Sequence, residues 1–269
     1  MHATTRLAAT VALILWPAAA GEQLQADLLD PKILENRLEQ GMVPEDRRES
    51  TIADMFRSVG CEVELEKVTR KTNNVICTLK GAGTGSIVVG AHYDYVAQGK
   101  GIIDDWSGTA MLVSLYQSLK LHPRQHTYHF VAFSKEETGL EGSKKYVHDL
   151  DAAGLARLRA FVNLECLGTS PLKVWQHRAD PGLLLKLQRL AASLHTTVPG
   201  VNVEKVGDDD THPFLNARLP VITLHSITQE TLYWIHNKKD RLESIHALEY
   251  YDSYKLIALY LVYLDSVSN

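Results

Sequence analysis

Six side chains of metal-binding type follow short apolar runs along this 269-residue chain. They are His92, Asp104, Glu136, Glu137, Glu165 and His236. The apolar runs are typical of buried strands, and the carboxyl ends of strands in an open α/β sheet meet along one edge. Imidazole nitrogens and carboxylate oxygens gathered there would bind divalent cations that activate water. The pattern therefore predicts a hydrolase with two metal ions.

His92 lies in Gly90-Ala-His-Tyr-Asp94, at the end of an apolar run. A neutral imidazole binds metal through one ring nitrogen and needs a hydrogen-bond partner on the other. Asp94 is close enough in sequence to be that partner, so we expect it to support His92.

Asp104 and Asp105 precede a predicted helix. A carboxylate can bridge two metal ions, and a carboxylate at a helix N-terminus commonly accepts backbone N–H groups. The pair supplies one side chain for each task, and the residues alone leave open which residue performs which.

Glu136 and Glu137 follow the most apolar predicted strand, where adjacent carboxylates are costly without a cation nearby. Consecutive side chains point in different directions, so one carboxylate can bind metal while the other takes a proton from water. A solvated acidic loop is the alternative, but Gly139 and Gly142 favour a tightly specified turn.

Strand and helix patterns alternate along the chain. Predicted strands cover residues 86–91, 127–134, 160–164, 172–176 and 220–224, and predicted helices cover 31–60 for the most part, 107–120, 181–194, 248–267 and a segment starting near 143. A hairpin is predicted from residues 62–68 and 74–79. The alternation predicts an α/β fold, a three-layer αβα arrangement with a mostly parallel (mixed) central sheet and an antiparallel edge hairpin.

The composition favours one large domain, because 45% of the residues are hydrophobic and no repeat or clear linker divides the chain. The formal net charge is −4, and the charges are dispersed without a basic run. Nucleic acid is therefore not an expected partner.

Residues 1–20 have the pattern of a signal peptide: Arg6, then the apolar residues 7–16, then small residues before Gly21. The apolar stretch is shorter than the roughly 20 residues of a bilayer span. We expect export to the periplasm or the extracellular space, a single catalytic domain over residues 21–269, and no stable membrane insertion after cleavage. An uncleaved anchor is the alternative.

Export permits disulfides, and Cys61 and Cys77 flank the predicted hairpin. They either pair or remain two buried thiols. Cys166 adjoins Glu165, and we expect it to pack as a small hydrophobe because no second Cys or His completes a sulfur-rich cluster around it.

Five motifs occur in a characteristic order. They are G-A-H-Y-D at 90–94, D-D-W-S-G at 104–108, E-E-T-G-L-E-G-S at 136–143, N-L-E at 163–165 and H-N-K-K-D at 236–240. In order and character they resemble the co-catalytic zinc exopeptidases of metallopeptidase family 28, which includes bacterial leucyl-type aminopeptidases and, more distantly, glutaminyl cyclases. The resemblance covers most of the chain, from the hairpin to the last helix, and implies a zinc exopeptidase-like fold.

The resemblance implies two zinc ions bridged by Asp104, because the family's bridging aspartate precedes a variable pair and then Ser-Gly. It places His92 and Glu165 on one ion, and Glu137 and His236 on the other.

The resemblance also implies roles for three residues that do not bind metal. It makes Glu136 the general base, puts Asp94 behind His92, and gives Asp240 the position of the carboxylate that follows the last histidine.

One position departs from the family pattern, which usually has Asp where this chain has Glu165. The extra methylene shifts the carboxylate by roughly a bond length, against zinc–oxygen distances of about 2.0–2.2 Å. Occupancy of that zinc site would be altered, so one ion instead of two is the alternative.

Two further segments adjoin these motifs. Residues 207–214 resemble a family loop near the substrate but carry Thr211 between Asp210 and His212, so they either adjoin the site or form a turn that packs Phe214 and Leu215. Residues 233–234, Tyr-Trp, either line a substrate pocket or pack.

The function that these observations imply is an exported zinc-dependent aminopeptidase that removes N-terminal residues from peptides. A glutaminyl cyclase is the alternative, although the segment after Glu137 lacks the tryptophan-bearing insertion of those enzymes. A metal-free binding protein on the same fold is disfavoured, because every ligand position holds a competent ligand.

Overall fold

The computed structural model describes residues 10–13, 24–203 and 207–267. The strands are β1 (Thr10–Leu13), β2 (Leu24–Asp27), β3 (Val63–Lys67), β4 (Asn73–Leu79), β5 (Ser86–His92), β6 (Thr127–Phe133), β7 (Leu158–Glu165), β8 (Lys173–Val174) and β9 (Val221–His225). The helices are α1 (Pro31–Glu39), α2 (Glu45–Ser58), α3 (Ser107–Leu119), α4 (Glu141–Asp149), α5 (Ala152–Arg157), α6 (Pro181–Ser193), α7 (Thr211–Asn216) and α8 (Ala247–Ser266). Short helical turns cover Ile102–Trp106, Thr231–Tyr233 and Leu242–Ser244.

Seven strands form one mixed sheet in the order β3-β4-β6-β5-β7-β9-β8. Strands β6, β5, β7 and β9 are mutually parallel, whereas the β3–β4 hairpin and β8 run antiparallel at the two edges. The predicted mixed sheet with an antiparallel edge hairpin is confirmed. A separate two-stranded ladder pairs β1 with β2.

Alternation along the central strands divides the core between the two faces of the sheet. In β5, Val89 and Ala91 join the larger hydrophobic cluster, which includes residues of α3 and α8. Val88 points the other way, into a smaller cluster with Tyr146 of α4 and Phe214 of α7. Because helices cover both faces, most side chains of the parallel strands are buried, and most of them are apolar.

A buried arginine from α2 holds the loop that leads to the candidate metal ligands. The Arg48 side chain is fully buried and donates to the carbonyl oxygens of Gly41, Tyr93, Lys100 and Gly101 at 2.7–3.2 Å. Its guanidinium also lies 4.2 Å from the centre of the Tyr95 ring. Both ends of the 93–101 loop are thereby attached to α2.

Most element predictions agree with the structure to within about two residues, and three differ in an informative way. The mostly helical stretch 31–60 is two helices, because the segment between them carries Gly41 and Pro44. Residues 211–216 form α7 instead of a turn, with Phe214 buried but Leu215 exposed. The strand expected over residues 172–176 is reduced to β8.

The predicted signal peptide, residues 1–20, lies outside the described residues except for Thr10–Leu13, and it stays a prediction. Among the helices that the structure describes, none has the length and apolar character needed to span a bilayer.

The structure pairs Cys61, which precedes β3, with Cys77 on β4, and their Cα atoms lie 6.1 Å apart. Cys166 is a free, buried thiol. It packs with Ile103 and Ile227, as expected from the sequence.

Reduction of the disulfide is expected to lower the free energy of unfolding by about 3 kcal/mol, because the bond closes a short loop that limits the unfolded chain. Urea unfolding followed by circular dichroism, with and without reductant, measures the change. Cys166→Ala serves as the matched control and should retain the full difference. Equal midpoints under the two conditions would contradict the prediction.

Candidate metal centre

The structure brings the six predicted side chains together at the carboxyl edge of the parallel strands. His92 ends β5 and Glu165 ends β7, while Glu136 and Glu137 follow β6. Asp104 and His236 lie on loops that reach the same edge, and all six side chains line one cavity. Parallel β5, β6 and β7 are adjacent, so residues far apart in sequence become neighbours.

Asp104 lies at the centre of the group, between two histidines. Its Oδ1 is 3.1 Å from His92 Nε2, and its Oδ2 is 3.0 Å from His236 Nε2. Glu165 Oε1 lies 3.5 Å from the same nitrogen of His92, and Glu137 Oε2 lies 3.0 Å from that of His236. One carboxylate is thus shared by two sets, each with one imidazole and one glutamate.

The tautomer of His92 follows from its surroundings. Its Nδ1 lies 3.1 Å from the backbone carbonyl oxygen of Asp94, which only accepts, so Nδ1 carries a proton and Nε2 is the ring nitrogen directed at the centre. The Asp94 carboxylate, expected to hold this ring, lies farther away, with Oδ1 3.7 Å from Nδ1, so the backbone carbonyl makes the closer contact. The main chain of Asp94 performs that task.

The Asp94 carboxylate instead holds the loop after β6. Its Oδ1 accepts the backbone N–H of Glu136 at 3.0 Å, and its Oδ2 accepts that of Glu137 at 3.2 Å. A buried carboxylate that accepts two N–H groups is stabilised in its charged form. Asp94 therefore fixes the two adjacent glutamates relative to His92.

Asp105 and Asp240 act in the same way on the loop that carries Asp104. Asp105 accepts backbone N–H groups from Gly108, Cys166 and His92 at 3.0–3.3 Å. Asp240 Oδ1 accepts the N–H of Ile103 at 2.7 Å and, more weakly, that of Asp104 at 3.4 Å.

These contacts separate the two aspartates that sequence left unresolved. An Asp105 oxygen also falls within 4.8 Å of donor atoms of His92 and Glu165. Both oxygens of Asp105 are already used by backbone N–H groups, however, so Asp104 is the carboxylate directed at the histidines.

The proton affinities of the centre reflect buried negative charge. Hydrogen bonds that His236 donates to the carboxylates of Asp104 and Glu137 raise the pKa of His236 to about 10. Burial raises the pKa of Glu165, and it raises that of Glu136 well above its ordinary value, with His92 opposing. Burial would also raise the pKa of Asp104, but hydrogen bonds from His236 and His92 hold it well below its usual range. The cluster therefore favours any cation placed among its oxygens.

The donor set fits zinc in its chemistry. His92 Nε2 faces the centre and would give its lone pair to a bound ion in place of its proton, and Glu137 Oε1 is buried without a hydrogen-bond partner among the described residues. Imidazole nitrogen and carboxylate oxygen are both established zinc ligands. A buried oxygen with no donor is costly unless something cationic meets it.

A cavity of about 320 Å³ opens beside the centre. One wall carries the ligand-type side chains, and His236 stands half-exposed in it. The apolar part of the wall is formed by Leu140, Trp175, Val203, Ile227, Leu232 and Ile235. A ligand in this cavity would meet polar groups at one end and an apolar surface elsewhere.

Sequence reasoning missed much of this wall. Trp175 follows the short β8, and Leu232 and Ile235 come from the loop before His236. Tyr233, considered as a pocket residue, is instead 74% exposed, while Trp234 packs in a small hydrophobic cluster. Asp208 and Asp209 line the cavity, so the segment around them does adjoin the site.

The model of peptidase family M28 matches residues 74–261, which contain every side chain of the centre. The chain belongs to peptidase family M28. Two curated proteins are similar to part of this M28 chain. Leupeptin-inactivating enzyme 1 of Streptomyces exfoliatus is 31% identical over 156 residues, covering 57% of this chain and 35% of that protein. Aminopeptidase YwaD of Bacillus subtilis is 29% identical over 171 residues, covering 59% and 36% respectively. The M28 chain thus spans about a third of the length of these relatives.

Solved structures share the fold of the M28 chain. BSAP, a zinc aminopeptidase from Bacillus subtilis, superposes with a TM-score of 0.65 at 25% identity, over 71% of this chain and 49% of that one. A glutaminyl cyclase from an Acidobacteriales bacterium superposes with a TM-score of 0.72 at 20% identity, over 94% of this chain and 99% of that one. The latter likeness concerns the fold alone.

The different surroundings of Asp104 and Asp105 predict opposite phenotypes for their alanine variants. Asp105→Ala should lower the free energy of unfolding of the chelator-treated protein by about 3 kcal/mol, because several buried N–H groups lose their acceptor. Asp104→Ala should leave this stability nearly unchanged but abolish tight zinc binding.

Chemical unfolding in chelator and zinc titration of the folded variants measure the two effects separately. Retention of zinc by Asp104→Ala together with its loss in a stably folded Asp105→Ala would mean that the two roles are reversed.

Proposed function

We propose that this chain is a zinc-dependent aminopeptidase that hydrolyses the first peptide bond of unblocked peptides. The observation that carries the proposal is the position of Asp104, whose two oxygens face two different histidines, each accompanied by its own glutamate. This arrangement suits two zinc ions that share one carboxylate. Membership of family M28 and the likeness to BSAP support the proposal.

The proposed ligands are His92 and Glu165 for one ion, Glu137 and His236 for the other, and Asp104 for both. Bound zinc would lower the pKa of water and polarise the scissile carbonyl group. Two of these ligands are already oriented by the protein: the main chain of Asp94 holds His92, and the Asp94 carboxylate holds the backbone of Glu137.

Glu136 is the proposed general base. Its Oε2 lies 3.9 Å from His92 Nε2, so it faces the centre, yet it forms none of the closest contacts around Asp104. Burial raises its pKa well above the ordinary value, which suits a carboxylate that accepts a proton from the attacking water and then releases it to the leaving amine. The cavity beside it has room for an N-terminal residue against the apolar wall.

Glutaminyl cyclisation is a second candidate, favoured by Asp210. This residue is fully buried, and it is close enough to Glu136 to contribute to the raised pKa of that side chain. Burial raises the pKa of Asp210 itself to about 8. A second carboxyl that holds a proton near neutral pH could help to move a proton from an attacking amine to departing ammonia.

We also propose that the protein acts in the periplasm or outside the cell. The disulfide between Cys61 and Cys77 supports an oxidising compartment.

Removal of zinc should abolish release of amino acids, and its return should restore it. Purified protein would be stripped with a chelator, analysed for bound metal, and assayed on aminoacyl anilides before and after zinc is added back. Absence of both metal binding and release would overturn the proposal. Cyclisation of a peptide with N-terminal glutamine, without hydrolysis, would establish the second candidate instead.

Glu136→Gln should retain zinc but lower kcat by about 10²- to 10⁴-fold, because the amide cannot accept the proton. Glu137→Gln is the matched control, an identical change one residue away that should weaken zinc binding. Metal analysis and steady-state kinetics on both variants test the assignment. Loss of zinc from Glu136→Gln with retention in Glu137→Gln would show that base and ligand are exchanged.

A further inference from the structure

The two oxygens of Glu165 have different surroundings. Oε1 lies 3.5 Å from His92 Nε2 and also accepts the Cys166 thiol at 3.4 Å. Oε2 points away from the histidine and accepts Nδ2 of Asn163 at 3.3 Å. Asn163 and Glu165 are two residues apart on β7 and therefore share one face of the sheet. One oxygen of Glu165 is directed at the centre while the other is held by Asn163.

The orientation of the Asn163 amide follows from its neighbours. Its Nδ2 donates to Glu165 Oε2 and, at 3.4 Å, to Asp209 Oδ2. A flipped amide would place its oxygen against both carboxylates, which only accept hydrogen bonds when they are ionised. The side chain is fully buried, and its Oδ1 has no hydrogen-bond partner among the described residues, so the orientation depends on the two carboxylates.

Asp209 anchors this amide to the rest of the fold. Its Oδ2 accepts the Thr223 hydroxyl of β9 at 2.6 Å, and its Oδ1 accepts the backbone N–H of Thr211 at 3.0 Å. The Arg178 guanidinium lies 3.3 Å from Oδ1. Asp209 is only 2% exposed, so these donors hold it in one place. Asn163 is consequently tied to both β9 and the loop before α7.

We propose that Asn163, held by Asp209, is a positioning residue that directs Glu165 Oε1 toward His92 and thereby sets the zinc affinity of the His92–Glu165 position. The inference rests on the proposed ligands. A glutamate has one more rotatable bond than an aspartate, so its carboxylate needs an additional contact to keep one orientation. The side chain of Asn163 donates to Glu165 and Asp209 and not to Glu137 or His236, which form the other zinc position. The zinc affinity of that other position should therefore not depend on Asn163.

Zinc titration of Asn163→Leu tests this, because leucine has a similar size but no donor. The affinities of the two positions would be measured on chelator-stripped protein with a competing chromophoric chelator, in the absence of substrate. We expect wild-type protein to bind two ions, and the variant to bind one with unchanged affinity and the second about 10- to 100-fold more weakly. Asn163→Ser, whose hydroxyl is too short to reach Glu165, should give the same result if the leucine variant does not fold.

Thr223→Val is the matched control. It removes a hydrogen bond to Asp209 but leaves the contact between Asn163 and Glu165. It should therefore lower the affinity for the second zinc ion less than either substitution of Asn163 does. Unchanged affinities in a folded Asn163 variant, or equal weakening of both ions, would overturn the inference.

The wild-type titration distinguishes this inference from the proposed function. Absence of zinc binding would overturn both. Binding of a single ion would overturn the inference about Asn163 and leave an enzyme with one metal.

Discussion

Burial of several carboxylates in one place is the constraint on which the rest of this structure depends. Asp104, Glu136, Glu137 and Glu165 converge where the parallel strands end, and all four are largely shielded from solvent. Mutual repulsion and desolvation would drive such groups apart or protonate them. The imidazoles of His92 and His236, which lie between the carboxylate oxygens, offset this repulsion, and the arrangement can accept divalent cations. Catalytic potential and folding constraint thus have one origin.

A second set of carboxylates supports the first through the main chain. Asp94, Asp105 and Asp240 each accept N–H groups from the loops that carry the ligand-type residues. Loop backbone at the end of a sheet has many donors without partners in regular structure, and buried acceptors satisfy them. The loops that carry Asp104, Glu136 and Glu137 are therefore held by carboxylates that are not themselves proposed metal ligands.

Local pattern was sufficient to predict the strands of the seven-stranded sheet, most helices and the six side chains of the centre, because strand ends are readable from apolar runs. Local pattern was insufficient where the role of a residue depends on contacts with residues that are distant in sequence. Asp104 and Asp105 are adjacent and have identical side chains, so local pattern gives them the same role. Their roles differ because N–H groups such as those of Cys166 and Gly108 donate to Asp105. Trp175 and Ile235 line the cavity because of tertiary packing, which the spacing of residues in the sequence does not reveal. The α7 helix was missed since six residues are too few for a clear period.

The hydrogen bonds from Arg48 to four carbonyl oxygens limit how far this domain can be truncated at its N-terminal side. The segment that matches family M28 starts at residue 74, whereas Arg48 lies upstream on α2 and holds both ends of the loop before Asp104. A fragment trimmed to the matched segment would lack Arg48, so the carbonyl oxygens of Tyr93, Lys100 and Gly101 would lose its hydrogen bonds in the protein interior. The start of the matched segment is consequently not expected to be the start of the folded unit, because α2 lies upstream of it and holds the loop before the candidate metal ligands.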